Sequence, residues 1–386
     1  MASEHTSLIA VLSAANFIIG MGAFMVVGVL PPFAEAFGIS TAAAGWLMTA
    51  YALGYAALSP LLVALTGAIG RRRLLAAGLS VFAVANLIGA ISPSPEVAFA
   101  ARVLAAAGAG LVTPVAAAVA AGLSAPERQG RALSAVFFGM TLAQVLGVPA
   151  GSWLAYTFGW QSAFFTVSVL AIPVIWLIWK RVPAGLSFPP VTLSALAETL
   201  INLRLMIAVS FTAIFMGATY ILYTYVAPLL SSEMAYARDG ITLVLLLFGV
   251  GAVLGNLVGG IMTDWIGPTR WLMILALVQA GLMAAFSALP FADWMLLCLS
   301  MLWSLFGFSF MSAQQARLIS LAPPKAPVLM SLNAAAVYVG AAFGAGSGAL
   351  IISTFGLRYL GVAAGAVAIL AAISLLPRLG ETRRSA

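Results

Sequence analysis

A single arginine, Arg102, lies inside a long apolar segment of a chain in which only 7% of the residues are charged. If that segment crosses a membrane, the charge costs about 2.5–3.5 kcal/mol on insertion scales, so it requires a partner or a water-filled cavity. Two interpretations stay open at this point. Arg102 could belong to a functional site inside the membrane, or its guanidinium could extend to the nearer membrane surface.

Other polar and aromatic side chains also lie within apolar segments, where they could line a binding cavity. Tyr220, Tyr223 and Thr224 have the i, i+3, i+4 spacing that places side chains on one face of a helix. Packing or lipid contact explains an aromatic stripe equally well. The candidates for substrate binding or coupling are Asn16, Phe24, Tyr51, Arg102, Thr113, Gln144, Tyr220, Tyr223, Thr224, Asn256, Asn333 and Tyr338.

The elements that must hold these residues are membrane-spanning helices. The chain has 386 residues, of which 63% are hydrophobic, and its mean hydropathy is +1.12. Apolar runs of about 18–25 residues recur, and each is long enough to cross a bilayer. The sequence therefore predicts an all-α polytopic membrane protein with helices over 8–30, 41–65, 74–92, 97–122, 132–155, 161–179, 206–230, 241–262, 270–290, 294–316, 327–352 and 357–377.

The basic residues give these helices an orientation. Of the 17 lysine and arginine residues, 14 fall in the connections on one side, 2 on the other, and Arg102 lies inside a helix. Connections rich in lysine and arginine are typical of the cytoplasmic side, so both termini are predicted to be cytoplasmic. The run Arg71–Arg73 is then a cytoplasmic connection between the second and third spans.

The chain matches itself without gaps at an offset of 197 residues. Pro31 corresponds to Pro228, and the triplet Thr157–Gly159 corresponds to Thr354–Gly356. Two parallel six-helix repeats are expected to pack around an axis along the membrane normal, with a substrate site between them. The predicted domains are a six-helix bundle over 1–180, a cytoplasmic linker with an amphipathic helix over 181–205, and a second bundle over 206–386.

Several stretches resemble one transporter family. The loop ALTGAIGRRRLL and its second copy GIMTDWIGPTR resemble the signature loop of the major facilitator superfamily, while Arg102 followed by VLAAAGAG resembles the arginine motif of drug:proton antiporters. GMTLAQVLGVPAGSWL resembles the antiporter motif of exporters, and GVLPPFAEAFGIS resembles the subgroup of sugar-efflux and chloramphenicol-resistance-type exporters. The resemblance covers nearly the whole chain and implies the major facilitator fold.

The resemblance also implies gating roles for the signature loops. It assigns Gly70 and Arg71 to closing the cytoplasmic side, although these residues could serve only as a topology signal. The acid of the family's loop falls at Gly67 here, whereas the second copy keeps it as Asp264, followed by Gly267.

The fifth and eleventh spans carry spaced glycines that allow helix backbones to approach closely. These are Gly147 and Gly151 in the first half and Gly344 and Gly348 in the second. Pro149, between the first pair, removes a helical hydrogen bond and is expected to distort the helix. We expect the two helices to seal or rock between the halves, although tight packing alone explains the same residues.

The coupling mechanism is left open by a departure from the subgroup. The position of its first-span acid is Ala23 here, and no aspartate or glutamate lies deep in a predicted span. A proton antiporter normally needs an ionisable relay in its path. Either the substrate is an anion that pairs with Arg102, or the protein is a facilitator without ion coupling. The subgroup's asparagine is Tyr338 here, which favours an apolar, aromatic pocket for lipophilic compounds.

The sequence thus predicts a bacterial inner-membrane secondary transporter. An exporter of a small drug-like or metabolite compound, working by alternating access with or without proton coupling, is the first hypothesis. An uncoupled facilitator or importer of an organic anion is the alternative. We expect no enzyme activity, cofactor, metal or nucleic-acid partner, because the spans carry no catalytic constellation and no phosphate-binding loop. The expected partners are a small-molecule substrate, the bilayer and, with coupling, protons, and the chain is expected to be a monomer.

Overall fold

The computed structural model describes residues 2–67, 69–124, 129–186 and 193–376, and this part of the chain is helical, with no β-strand. Its first half contains α1 (Ala2–Phe24), α2 (Val26–Phe37), α3 (Thr41–Ala44), α4 (Trp46–Leu65), α5 (Arg71–Ala90), α6 (Pro95–Gly122), α7 (Gln129–Leu142), α8 (Val148–Phe158) and α9 (Trp160–Arg181). The rest contains α10 (Leu193–Ile201), α11 (Leu203–Tyr223), α12 (Val226–Met234), α13 (Arg238–Ile266), α14 (Pro268–Ala285), α15 (Asp293–Phe308), α16 (Phe310–Leu321), α17 (Ala326–Phe355) and α18 (Leu360–Ile373).

These helices supply the predicted twelve spans. Eleven segments of the described chain are long and apolar enough to cross a membrane, and a shorter apolar helix, Leu357–Ile373, follows as the twelfth. Several spans consist of two helices joined at a break, as α11 and α12 are within Leu203–Met234. The twelve-helix fold is confirmed; the predicted end of the last span at 377 lies outside the described residues.

Two local predictions were wrong. The first span was expected to be continuous over 8–30, but it breaks at Met25, and α2 continues through Pro31 and Pro32 to Phe37. The triple arginine was expected in a connection, but Arg71 opens α5 and is buried, with its backbone N–H donating to the carbonyl of Leu186 at 3.1 Å. That hydrogen bond supplies a partner for one of the donors that a helix start leaves unpaired.

The chain divides into two compact units, each of which is described on its own. The N-terminal unit comprises Met1–Ile39 and Ala50–Val191, and the C-terminal unit comprises Ser40–Thr49 and Thr192–Ala386. In the N-terminal unit α1 packs on α7 and α5 on α9; in the C-terminal unit α11 packs on α17 and α14 on α18. In each unit the first span therefore packs on the fifth, and the third span packs on the sixth. A repeated fold requires this shared pairing.

Glycines permit the closest of these contacts. In the C-terminal unit a methyl group on Gly344 would lie 2.8 Å from Cβ of Tyr220, and one on Gly348 would lie 2.6 Å from the ring of Tyr225. In the N-terminal unit Gly147 and Gly151 pack in the same way on Met21 and Met25. The glycine faces of both helices are therefore used for packing within their own unit.

Candidate functional site

Arg102 is the centre of the N-terminal unit's candidate site. Its side chain is only 2% exposed. One terminal nitrogen of the guanidinium donates to the carbonyl of Gly22 at 2.7 Å, and the other donates to the carbonyl of Ala23 at 2.9 Å. The guanidinium carbon also lies 4.3 Å from the centre of the Tyr51 ring. Because the guanidinium is held inside the unit, it does not extend to the membrane surface.

The partner of Arg102 arises from the break in the first span. In a continuous helix the carbonyls of Gly22 and Ala23 would accept from the N–H groups four residues later. Around the break, the N–H of Met25 donates to Met21 as in a regular helix, but that of Gly28 donates to Met25, only three residues earlier. The two carbonyls that accept from Arg102 lie in the last turn of α1, where the partial negative charge of a helix C-terminus favours a cation. Ala23, which stands where the subgroup has a carboxylate, therefore still provides a partner for Arg102 through its backbone carbonyl.

The remaining candidates of the N-terminal unit are spread around this centre. Phe24, at the end of α1, and Thr113, in α6, are buried. The side-chain nitrogen of Asn16 donates to the carbonyl of Val136 at 3.4 Å. Gln144 lies in a π-helical turn, Ala143–Gly147, which ends directly before α8. Buried oxygens without a hydrogen-bond partner are Oδ1 of Asn16, Oγ1 of Thr113 and Oε1 of Gln144.

The C-terminal unit replaces the charge with an aromatic cluster, which we define as Tyr220, Tyr223, Phe248, Phe286 and Trp303. The rings of Tyr223 and Phe248 stack with their centres 4.5 Å apart, and Phe248 meets Trp303 at 4.8 Å. Tyr220 meets Tyr223 edge-on with the ring centres 5.8 Å apart, and Phe286 meets Trp303 edge-on with the ring centres 5.2 Å apart. The predicted face of Tyr220 and Tyr223 thus points into a packed aromatic core.

The other candidates of the C-terminal unit have separate surroundings. Thr224 is buried at the break that follows α11, and its Oγ1 has no hydrogen-bond partner. Thr212 donates to Oδ1 of Asn333 at 2.6 Å, while Tyr338 is buried in α17. Asn256 is exposed, so the structure does not group it with the buried candidates.

The residues expected to act in gating fall into two kinds. Gly70 directly precedes α5 with ordinary backbone angles and open space around it, so the turn does not require glycine there. Gly267, between α13 and α14, has a φ of +84°, which strongly favours glycine. Asp264 is exposed near the end of α13. The π-helical turn just before Pro149 agrees with the predicted helix distortion.

Some buried polar residues were missed by the sequence reasoning. The hydroxyl of Tyr225 donates to the carbonyl of Ala345 at 2.8 Å. Gln279 donates to the carbonyl of Trp303, and Gln314 donates to that of Ala208, both at 2.7 Å. A glutamine inside an apolar helix is itself a signal of such a contact. Arg317, which was assigned to a connection, is instead buried in α16 beside Gln314.

The buried charges of the described side chains share one sign. Arg71, Arg102 and Arg317 are buried. Every described carboxylate side chain is at least partly exposed, and most lie near helix ends; these are Glu35, Glu96, Glu198, Glu233, Asp239, Asp264 and Asp293. The described residues contain no group of histidine, cysteine and acidic side chains suited to a metal ion. Among the described side chains, the buried charges are therefore cationic.

Comparisons with known proteins agree with this architecture. The chain matches the Major Facilitator Superfamily over residues 12–292 and 207–385. It is 30% identical to the inner membrane transport protein YdhP of Escherichia coli (strain K12), covering 90% of this chain and 89% of that protein. It is 35% identical to a chloramphenicol resistance protein of Streptomyces lividans, over 66% of each chain.

A solved structure shows the same fold. A bacterial homolog of the human lysosomal transporter Spinster aligns with a TM-score of 0.82 over 96% of both chains, at 16% sequence identity. The family match covers more than half of the chain, and the helical architecture agrees with it. The protein is a transporter, not an enzyme, and belongs to the major facilitator superfamily.

Proposed function

We propose that this protein is an inner-membrane exporter of a small organic compound that works by alternating access. The single observation that carries the proposal is the buried Arg102 held at the break of the first span by Gly22 and Ala23. A buried charge at a helix break marks a functional site in a membrane protein. The similarity to a chloramphenicol resistance protein supports the direction of transport.

Arg102 can link substrate binding to a change in the first span. An acceptor group on the substrate would compete with the carbonyls of Gly22 and Ala23 for the guanidinium. A released carbonyl could then accept a hydrogen bond from the next turn and make the helix more continuous. The unpartnered oxygens of Asn16, Thr113 and Gln144 offer further polar contacts in the same unit.

The substrate is proposed to be lipophilic, with an acceptor or anionic group. The aromatic cluster and the buried Tyr338 favour an apolar body over a free sugar. We expect Tyr338→Asn to lower activity toward lipophilic compounds. An unchanged substrate range in that variant, measured with a panel of neutral and charged drugs, would contradict this preference.

A second candidate is an uncoupled facilitator or importer of an organic anion. It is favoured by the uniform sign of the buried charges, since the described side chains provide buried arginines and no buried carboxylate for a proton relay. If the protein is a proton-driven exporter, a group other than a buried described carboxylate would have to carry the protons that drive substrate transport. Both candidates share a monomer with cytoplasmic termini, for which the basic residues and the two repeats are the support.

The test is accumulation in an efflux-deficient bacterium that expresses the wild type, Arg102→Ala or Arg238→Ala. Arg238 is the control, because it forms an exposed ion pair with Asp239. Cells are loaded with lipophilic cations, neutral drugs and organic anions, with and without a protonophore. Lower accumulation that requires Arg102, survives Arg238→Ala and disappears with the protonophore supports a proton-driven exporter. A difference that survives the protonophore, or increased uptake of anions, supports the facilitator.

A further inference from the structure

The ends of α5 and α9 bring basic and tryptophan side chains together in the N-terminal unit. We define the basic–tryptophan patch as Arg72, Arg73, Trp176, Trp179, Lys180 and Arg181. The guanidinium carbon of Arg72 lies 4.7 Å from the centre of the Trp179 ring, and Nζ of Lys180 lies 4.4 Å from that of Trp176. Each cation is thus held against an aromatic face, which a simple topology signal does not require.

The outward face of α9 changes in character along the helix. Ile172, Trp176 and Trp179 follow the i, i+4, i+7 spacing and are 63%, 57% and 51% exposed. Lys180 and Arg181 then end the helix. An apolar residue, two tryptophans and two cations in that order match the sequence of acyl chain, interface and headgroup in a bilayer.

The charges of the patch remain available to a ligand. Arg73, Lys180 and Arg181 are exposed, and Arg72 is half-buried. None of the four has an ion pair with a described side chain. A phosphate group suits such a fork of donors, because arginine binds it through two parallel hydrogen bonds.

The patch is also fixed in place. Arg71 is buried at the start of α5, and its backbone donates to Leu186, which follows α9 in the chain. That bond holds the beginning of α5 beside the segment after α9. The neighbouring Arg72 and the tryptophans of α9 therefore do not need to be ordered when a ligand binds, which lowers the cost of binding.

We infer that the basic–tryptophan patch is a binding site for the headgroup of an anionic phospholipid. The cations meet the phosphate, the tryptophans lie at the interface, and Ile172 contacts the acyl chain. Charge complementarity selects an anionic lipid over a zwitterionic one. The site does not depend on the direction or the substrate of transport.

The experiment uses the purified full-length protein in a neutral detergent. Its thermal stability is measured while phosphatidylglycerol, phosphatidylcholine with the same acyl chains, or inorganic phosphate is added. We expect phosphatidylglycerol to raise the melting temperature at concentrations where the other two do not. Because each basic residue near a membrane surface contributes about 1 kcal/mol, Arg72→Gln/Lys180→Gln should raise the half-effective lipid concentration about 30-fold.

The matched control is Arg204→Gln/Arg270→Gln, which removes two exposed basic residues elsewhere in the chain. It should shift the half-effective concentration by less than about threefold. Trp179→Leu keeps every charge, and should weaken the response to phosphatidylglycerol several-fold even if the double variant fails to fold. An unchanged response in Trp179→Leu and the double variant, an equal loss in the control, or stabilisation by inorganic phosphate alone would each overturn the site.

Discussion

The first span of each half is broken near the same place, but the two breaks have opposite chemistry. At Met25 in the N-terminal unit the break exposes carbonyls that bind Arg102. At Thr224 and Tyr225 in the C-terminal unit the neighbouring space is filled by aromatic rings. At the repeat offset of 197, Tyr51 corresponds to Phe248 and Arg102 to Leu299. The repeat therefore kept the break and exchanged a cation for an apolar core.

The two breaks suit different roles in the two units. A cation on two carbonyls can exchange one acceptor for another with little change in packing, so it suits recognition. A cluster of stacked rings loses contact area whenever it moves, so it suits a rigid support or an apolar contact surface. The most direct way to test the difference is to remove the centre of each break in turn.

The largest effect on transport is expected from Arg102→Ala. Removing the guanidinium leaves two carbonyls buried without their partner and deletes the proposed substrate contact. Transport should fall by at least about tenfold while the protein still folds. Arg102→Lys should recover only part of the activity, since one ammonium cannot reproduce the forked geometry.

The measurement is substrate flux in proteoliposomes, with size-exclusion profiles to show that each variant is folded. If Arg102→Ala transports at the wild-type rate, the guanidinium only stabilises the helix break. The comparison between the two units would then concern packing alone.

The largest effect on stability is expected from Trp303→Ala in the aromatic cluster. Trp303 is fully buried and contacts Tyr223, Phe248 and Phe286. Replacement of a buried tryptophan by alanine typically costs about 3–5 kcal/mol. Thermal unfolding in detergent should show a clear loss, larger than for the matched variant Trp294→Ala, whose side chain is exposed. Equal losses in the two variants would contradict a rigid aromatic core.

The sequence predicted the architecture because the signals were long and repeated. Runs of apolar residues, the bias of basic residues and the offset of 197 all concern many positions at once, and the twelve-helix fold follows from them. The break at Met25 was missed because no proline or glycine occupies it. It is stabilised by a distant residue, Arg102, whose contact appears only after folding.

The sequence identified Arg102 as a candidate site residue but did not predict its hydrogen bonds. Arg102 was identified from the cost of burying a charge, and the aromatic face of Tyr220 and Tyr223 from helical spacing. The partner of Arg102 was sought among side chains, whereas the structure supplies backbone carbonyls, which no residue type reveals. The contact between Tyr225 and Ala345 could not be predicted either, because its acceptor is also a backbone carbonyl.

A smaller difference between the units is expected from their glycines. A side chain on Gly344 meets the backbone of Gly217 and Cβ of Tyr220, which cannot move aside. A side chain on Gly147 meets Cβ and Cγ of Met21 at 3.0 Å and its Cα at 3.3 Å, which are longer distances than those at Gly344. Gly344→Ala should therefore destabilise the protein by about 1–3 kcal/mol, and Gly147→Ala by less than about 1 kcal/mol. Thermal unfolding of both variants decides the order, and the reverse order would show that the Met21 side chain is the more rigid neighbour.

A further pair of variants separates the role of the Tyr51 ring beneath Arg102 from that of its hydroxyl. Tyr51→Phe keeps an aromatic face 4.3 Å from the guanidinium, whereas Tyr51→Leu removes it. A buried cation–π contact contributes about 2 kcal/mol, so Tyr51→Leu should weaken substrate binding or stability by that order while Tyr51→Phe changes either by less. Flux at several substrate concentrations measures the effect on substrate binding, and thermal unfolding measures the effect on stability. Phe248→Leu is the control at the corresponding position, where no cation is present among the ring's described contacts. If Tyr51→Phe is as damaging as Tyr51→Leu, the hydroxyl rather than the ring is what Arg102 requires, and the charged break depends on a hydrogen bond that the aromatic break lacks.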